Sequence, residues 1–393
     1  MPKLADVAEV NPRLDRSSLE DMSELISFVP MASVSETSGA ITSEESREAS
    51  EVIKGFTSFR DRDVLVAKIT PCFENGKIAH ARIARRLGFG STEFHVVRPK
   101  SESLDDRYLY HFLRQPVVRE EGERRMTGSA GQKRVPKAFL EELNIPLPPL
   151  PEQRCIAAIL DKADTLRVKR REVIIKLDQL LQSVFLEMFG NNSDRTITVA
   201  ELATSEGAIR TGPFGSQLLH SEFVDSGVAV LGIDNAVSNK FCWGKPRFIT
   251  EQKYSTLSRY RVRPGDVLIT IMGTCGKCAV VPADIPIAIN TKHLCCISLD
   301  REKCEPEFLH SYFLMHPVAR NYLESRAKGA IMSGLNMGII KELPVNLPPI
   351  EKQRRFASIK LKLEKYEKRH ALQADRSDEL FSALQQRAYA GNI

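Results

Sequence analysis

Leu143-Asn144-Ile145-Pro146-Leu147-Pro148-Pro149-Leu150-Pro151-Glu152-Gln153-Arg154 occurs a second time, loosely rewritten, as Leu343-Pro344-Val345-Asn346-Leu347-Pro348-Pro349-Ile350-Glu351-Lys352-Gln353-Arg354. The two stretches align without a gap, with Gln153 and Gln353 standing 200 residues apart. The same offset carries on through Ile159 and Ile359, Asp178 and Asp378, and Leu180 and Leu380. It nearly persists to Gly190-Asn191 against Gly391-Asn392. A dozen aligned positions with collinear flanks indicate a duplicated chain rather than two similar Pro-rich linkers.

Upstream the copies are looser. Arg62-Asp63-Val64-Leu65-Val66 resembles Gly265-Asp266-Val267-Leu268-Ile269, and each is followed by a Gly-Lys pair, Gly76-Lys77 and Gly276-Lys277. Residues 108–116 resemble 308–317 with one insertion. Short β-branched runs alternate with Gly, Pro and Asp turns, as in Val228-Ala229-Val230-Leu231, which predicts strands. One helix is expected in each copy, around 105–124 and 305–327. The fold class is therefore α+β: globular units over 1–149 and 190–349, followed by helical segments over 150–189 and 350–393.

Pro151 and Glu152 suit a helical first turn, where Pro has no N–H to lose and a carboxylate meets the positive end of the dipole. Ala163, Leu166, Arg170, Val173, Leu177, Leu180 and Val184 follow in steps of three and four, the spacing of a coiled-coil seam. The second copy offers Leu363, Tyr366, His370, Gln373, Ser377, Leu380 and Leu384. The expected arrangement is an antiparallel coiled coil with pseudo-twofold symmetry and the two similar domains separated by it. The alternative is that each helix packs only on its own domain.

The 393 residues carry 56 Lys and Arg against 50 Asp and Glu, a net charge of +6. That permits an anionic partner without demanding one. No secretory signal is visible at the N-terminus, and no apolar run approaches the roughly 20 residues that span a membrane. Eight cysteines without regular spacing read as reduced thiols of a cytoplasmic protein.

Catalytic patterns fail on inspection. Gly273-Thr274-Cys275-Gly276-Lys277-Cys278 has Ile271 where a phosphate loop needs Gly, and no Ser or Thr follows Lys277. Cys275 and Cys278, with Cys295, Cys296 and His293 nearby in sequence, read as buried thiols rather than a zinc site. Asp63, Glu74 and Lys77 have the residue types of a nuclease centre but the wrong spacing. No Asn-Pro-Pro-aromatic motif for adenine methylation is present, and Gly88-Phe89-Gly90 is only a fragment of a cofactor loop. No catalytic residue and no metal ligand are assigned.

The doubled Leu-Pro-Pro motif followed by a long helix resembles the specificity subunit of Type I restriction-modification systems, over nearly the whole chain. Thr211-Gly212-Pro213-Phe214-Gly215-Ser216-Gln217-Leu218 and the Gly273-Thr274-Cys275-Gly276-Lys277 turn strengthen the likeness. The first copy departs from it: it lacks the Gly-Pro-Phe-Gly element and has Pro71-Cys72-Phe73-Glu74-Asn75-Gly76 at the turn. Lys352 stands where an acidic residue is usual. The resemblance implies two target recognition domains, each reading one half of an asymmetric bipartite site on double-stranded DNA, with the helices as spacers. It implies partners: two methyltransferase subunits using S-adenosylmethionine on adenine N6, and restriction subunits using ATP and Mg. No cofactor is expected in this chain.

Phosphates attract Lys and Arg, and base edges attract Arg, Asn and Gln. The DNA-binding candidates in the first domain are Arg60, Arg62, Lys77, Arg124, Arg125, Gln132, Lys133 and Arg134. In the second they are Arg210, Ser216, Gln217, Lys277, Lys292, His293, Arg326, Lys328 and Asn336. The competing readings are a stand-alone site-specific endonuclease and an orphan DNA-binding regulator.

Overall fold

A computed structural model of the chain describes residues 1–14, 22–129, 131–190, 195–327 and 334–391. It divides into two compact units, Met1–Ile174 with Arg369–Ile393, and Ile175–Lys368.

The first unit contains β1 (Ala8–Val10), β2 (Leu25–Val29), β3 (Glu45–Glu48), β4 (Thr57–Arg60), β5 (Val64–Ala67), β6 (Ile78–His80), β7 (Leu87–Gly90) and β8 (Phe94–Pro99). They form two sheets, ordered β1-β8-β5-β6 and β3-β2-β7-β4. The second unit contains β9 (Thr196–Thr198), β10 (Ile209–Thr211), β11 (Val228–Leu231), β12 (Phe248–Ile249), β13 (Arg261–Val262), β14 (Val267–Thr270), β15 (Cys278–Val280), β16 (Ala288–Asn290), β17 (Leu294–Ile297) and β18 (Pro344–Asn346). Its four-stranded sheets run β10-β17-β14-β15 and β12-β11-β16-β13. The two pairs of sheets correspond strand for strand. Among the described residues, even the one parallel pairing in each unit recurs, β2 with β7 and β11 with β16. The β9–β18 pair of the second unit corresponds to a single bridge, Lys3 to Asn144, in the first.

The apolar runs that made β5 and β14 legible are buried on both faces, as central strands should be. Val64 and Val66 pack toward Tyr108, Leu109 and Phe112, whereas Leu65 faces Val29, Phe59 and Val96. Val267 and Ile269 face Phe308, Leu309 and Tyr312, whereas Leu268 faces Ala229, Leu231 and Cys296. Each unit therefore layers helices on one sheet and that sheet on a second.

The single helix expected over 105–124 is two, Asp106–Leu113 and Pro116–Arg124, and that over 305–327 is likewise Pro306–Met315 and Pro317–Ala327. Proline breaks both. Gln115 and His316 precede it with ψ of 138° and 130°, because the ring bars the preceding residue from helical backbone.

The two long helices are Leu150–Phe189 and Ile350–Tyr389, 40 residues each. Within each unit their segments run antiparallel. In the first, Arg170 donates to Gln373 O at 2.9 Å and Ser377 Oγ at 2.6 Å. Arg167 bonds Asp378 at 2.6 Å and lies 4.2 Å over the Phe381 ring. In the second, Lys352 lies over Phe189, and Phe185 packs on Phe356. Leu177 and Leu181 there line a cleft with Leu363 and Glu367.

The expected seam holds at five of its seven positions in each helix, which lie half-buried, and fails at two, where the next residue or the one two before turns inward instead. Leu166, Leu180, Tyr366 and Leu380 are 58%, 48%, 55% and 71% exposed, while Asp164, Leu181, Phe185, Ala374, Phe381 and Gln385 are buried. Charges explain the error. Asp164, Arg167 and Asp378 lie inward, their two carboxylates met by Arg114, Arg167 and Arg171, so their face looks polar in sequence. Among the described residues no helix is long and apolar enough to cross a membrane.

Candidate nucleic-acid interface

In the second unit, β14 runs into the turn 271–278, which closes on Thr270. Its hydroxyl accepts from Lys277 N at 2.9 Å and donates to Thr274 O at 2.5 Å. Gly273 and Gly276 have φ of +72° and +77°, the region glycine enters without cost. Ile271 N donates to His293 O at 2.9 Å, and Gly212 N reaches Thr291 O at 3.3 Å. A Cβ on Gly212 would stand 1.9 Å from Asn290 O, so only glycine lets these strands' ends approach. Three loops, 211–218, 271–278 and 291–293, thus converge at one end of the sheet. A fourth, 233–247, abuts them where Ile233 lies 3.1 Å from the position of a Gly273 Cβ.

The first unit builds the same end differently. Beyond β5, Thr70 N donates to Lys133 O at 3.0 Å, and Ile69 bridges Arg134. The loop 127–134 therefore lies across the turn that follows β5. Arg134 forks onto Glu93, with Nη2 at 2.8 Å. The Arg134 guanidinium, outweighing a small burial penalty, holds the Glu93 carboxyl below its ordinary range.

The candidate residues do not gather in one place. Gln132 and Lys133 stand exposed on the 127–134 loop, whose Ala130 lies outside the described residues. Arg124 ends the helix that leads into it. Ser216, Lys277, Lys292 and His293 lie on the three loops of the second unit. Among the described residues, none of these side chains is hydrogen-bonded or ion-paired. Burial, then the charges of Lys292 and Arg247, push the His293 imidazole below its usual value. Gln217 accepts from Tyr260 OH at 2.9 Å, and Lys77 donates to Met31 O at 3.2 Å.

Others lie or pair elsewhere. Arg60 and Arg62 sit at the opposite end of β5, where Arg62 bonds Asp106 at 2.6 Å beside His80. Arg125 pairs with Glu121 and Glu142. Arg210 turns inward to Asp266 at 2.9 Å and to Ser298. Asn336 caps a helix by accepting from Ile339 N at 3.0 Å. Arg326 lies over the Tyr322 ring. Lys328 falls outside the described residues.

Sequence reasoning missed Lys68, which lies between the β5 turn and Glu93. It also missed Trp243, 59% exposed, and Arg247, paired with Asp234. Phe241-Cys242-Trp243-Gly244-Lys245 holds the chain's single tryptophan among basic residues, a signal that was available.

The residues suspected of other chemistry are kept apart. Asp63 is 2% exposed and clasped by Arg98 at 2.7 Å, at the far end of β5 from Glu74 and Lys77. Cys278 and Cys295 are buried on strands flanking β14, and burial pushes the Cys295 thiol up to about 12. Among the described residues no group of His, Cys, Asp or Glu is placed to hold a metal ion.

Known proteins place this architecture. The specificity subunit of the Escherichia coli Type I restriction enzyme EcoAI is 44% identical over 154 residues, 39% of this chain and 26% of that protein. That of EcoEI is 41% identical over 160 residues, again 26% of its length, so the chain spans about a quarter of these two relatives. The MjaVIII specificity subunit of Methanocaldococcus jannaschii is 25% identical over 286 residues, 69% of this chain and 66% of that one. Among solved structures, the Type I restriction-modification S subunit from M. genitalium superposes with a TM-score of 0.57 at 14% identity, over 99% of this chain and 95% of its own. A chain from a study of assembly and conformational transition of the type I R-M system gives 0.59 at 20% identity, over 100% and 97%. The family model described as Type I restriction modification DNA specificity domain matches residues 1–176 and 225–380, and the chain belongs to that family.

Proposed function

We propose that this chain is the DNA-reading subunit of a Type I restriction-modification enzyme and performs no chemistry itself. The observation that carries this is the duplication: two units of one topology, each presenting a loop cluster at the end of its central strand and each joined to a long helix. In the first unit Lys133, Gln132 and Arg124 approach DNA; in the second, Lys277, Lys292, His293 and Ser216. Lys and Arg hold phosphates, and Gln and His read base edges. The loops differ between units, so the two half-sites differ and the target is asymmetric. The helices set the gap between the halves. The exposed apolar residues Leu166, Leu180, Tyr366 and Leu380 suit docking of two methyltransferase subunits, which would supply S-adenosylmethionine chemistry. Restriction subunits would bring ATP- and Mg-dependent cleavage.

The test is reconstitution with the methyltransferase encoded nearest this gene. Adenine methylation at one split sequence, absent with either component alone, is the expected result. Metal-dependent cleavage of DNA by the isolated chain would instead favour a stand-alone endonuclease. Specific binding without methylation would favour an orphan regulator.

A further inference from the structure

Both long helices begin with the same clip. Gln153 accepts from Asp105 N at 2.9 Å and donates to Ser103 O at 2.9 Å and Pro148 O at 2.8 Å. Gln353 accepts from Glu305 N at 3.0 Å and donates to Lys303 O at 3.1 Å and Pro348 O at 2.8 Å. Helix and domain therefore meet in one register in both units, and positions 200 apart are structurally equivalent.

Two turns further on, the charges reverse. In the first unit the domain supplies cations and the helix anions: Arg107 Nε lies 3.1 Å from Asp161 and Arg114 2.8 Å from Asp164, while His111, which burial keeps below its ordinary pKa, meets Asp161 through Nε2 at 2.7 Å as a neutral donor. In the second the domain supplies Glu307 and the helix supplies Lys360, only 2% exposed, which bonds Glu307 and lies 3.0 Å from His310 Nδ1. Lower down, Lys240 of the second domain pairs with Glu367 at 2.5 Å, whose counterpart on the first helix is Arg167.

We propose that this reversed charge layer is an address: it assigns each domain to its own long helix and forbids exchange of the two. Set on the first helix, the second domain would bring Glu307 against Leu160 and Asp161, and Lys240 toward Arg167. Set on the second helix, the first domain would face Lys360 with Arg107 and leave that buried ammonium without a carboxylate from the domain. Lys360 would keep only Glu364 of its own helix at 3.7 Å, with a guanidinium in place of its nearer carboxylate, and breaking a buried pair in this way is costly. Only Arg114 would keep an acidic partner, Glu364 in place of Asp164, since the second domain carries Leu314 at its position. If the units read half-sites as proposed above, their order along the target is fixed by the chain. That consequence rests on the proposed function, but the address does not, because its test reads unfolding rather than methylation.

The test is a full-length chain in which residues 195–349 replace 1–149 ahead of an unaltered 150–393. Its melting temperature is expected to fall by at least about 5 °C. Transplanting the second helix's address with Leu160→Lys and Asp161→Leu, leaving Arg167 to its partners Asp164 and Asp378, is expected to recover most of the loss. In the native chain, Lys360→Glu lowers the melting temperature and adding Glu307→Lys restores most of it. A chimera as stable as the native chain overturns the proposal, and so does a transplant or charge swap that recovers nothing.

Discussion

His310 illustrates how a single residue can govern the second unit. Its Nε2 faces Asn239 O at 2.9 Å and Cys278 O at 3.1 Å, and Nδ1 faces Lys360. Burial, reinforced by the Lys360 ammonium, lowers its pKa to about 3 from an ordinary 6.5. The folded chain therefore holds it neutral while the unfolded chain protonates it below pH 6.5. Between those values the unfolded state binds the extra proton, so stability rises with pH. It is complete above about pH 6.5 and falls on acidification by about 1.4 kcal/mol per pH unit from this group. Denaturant midpoints from pH 7 to 4 should show a steeper acid loss for the native chain than for His310→Gln; parallel slopes would refute the assignment. None of this was legible in the sequence, where His310 is one polar residue in an apolar helix. Gln153 and Gln353 were legible as a repeated motif, but their role was not, since a buried three-bond clip depends on backbone groups about 50 residues away.

At the scale of elements, what was readable depended on whether burial followed polarity. The strands β5 and β14 announced themselves because both their faces are apolar, and the long helices did so through length and Pro-Pro starts. The seam was readable only in part, because Asp164, Arg167 and Asp378 turn inward in a cluster completed by Arg114 and Arg171 while Leu166 and Leu380 turn outward. This gives a paired expectation. Phe381 is 5% exposed and packs under Arg167, so Phe381→Ala should cost about 3–5 kcal/mol. Leu380→Glu, one residue away but exposed, should change stability by less than about 0.5 kcal/mol. If the helices dock methyltransferase subunits as proposed, it should, with Leu166→Glu, nevertheless weaken that association. Chemical unfolding and a pull-down with that partner check both halves. Equal destabilisation by the two substitutions would return the seam to its sequence-derived phase.

At the scale of the whole molecule, the duplication was visible at the linkers and fades toward the loops. The sheets match strand for strand, yet the corresponding strands Leu25–Val29 and Val228–Leu231 share little sequence. Packing needs only apolar character at alternating positions, so sequence drifts while topology holds. The loops drift furthest, and there an arginine beside a turn looks the same in sequence whether it reaches solvent or, like Arg210, an internal carboxylate. If the helices set the gap between half-sites, that gap should respond to their length in a defined way. Seven residues inserted after Arg170, with seven more after His370, keep the apolar phase of both helices, since two turns take about seven residues. The added rise of about 10 Å corresponds to about three base pairs of B-form DNA at 3.4 Å each. Methylation mapping with the partner methyltransferase should then find both half-sites unchanged and the spacer longer by about three base pairs. An insertion in one helix alone should abolish methylation, because the segments paired through Arg167, Arg170 and Asp378 lose their register. Changed half-site sequences with an unchanged spacer would mean that the helices carry the domains without measuring the distance between them.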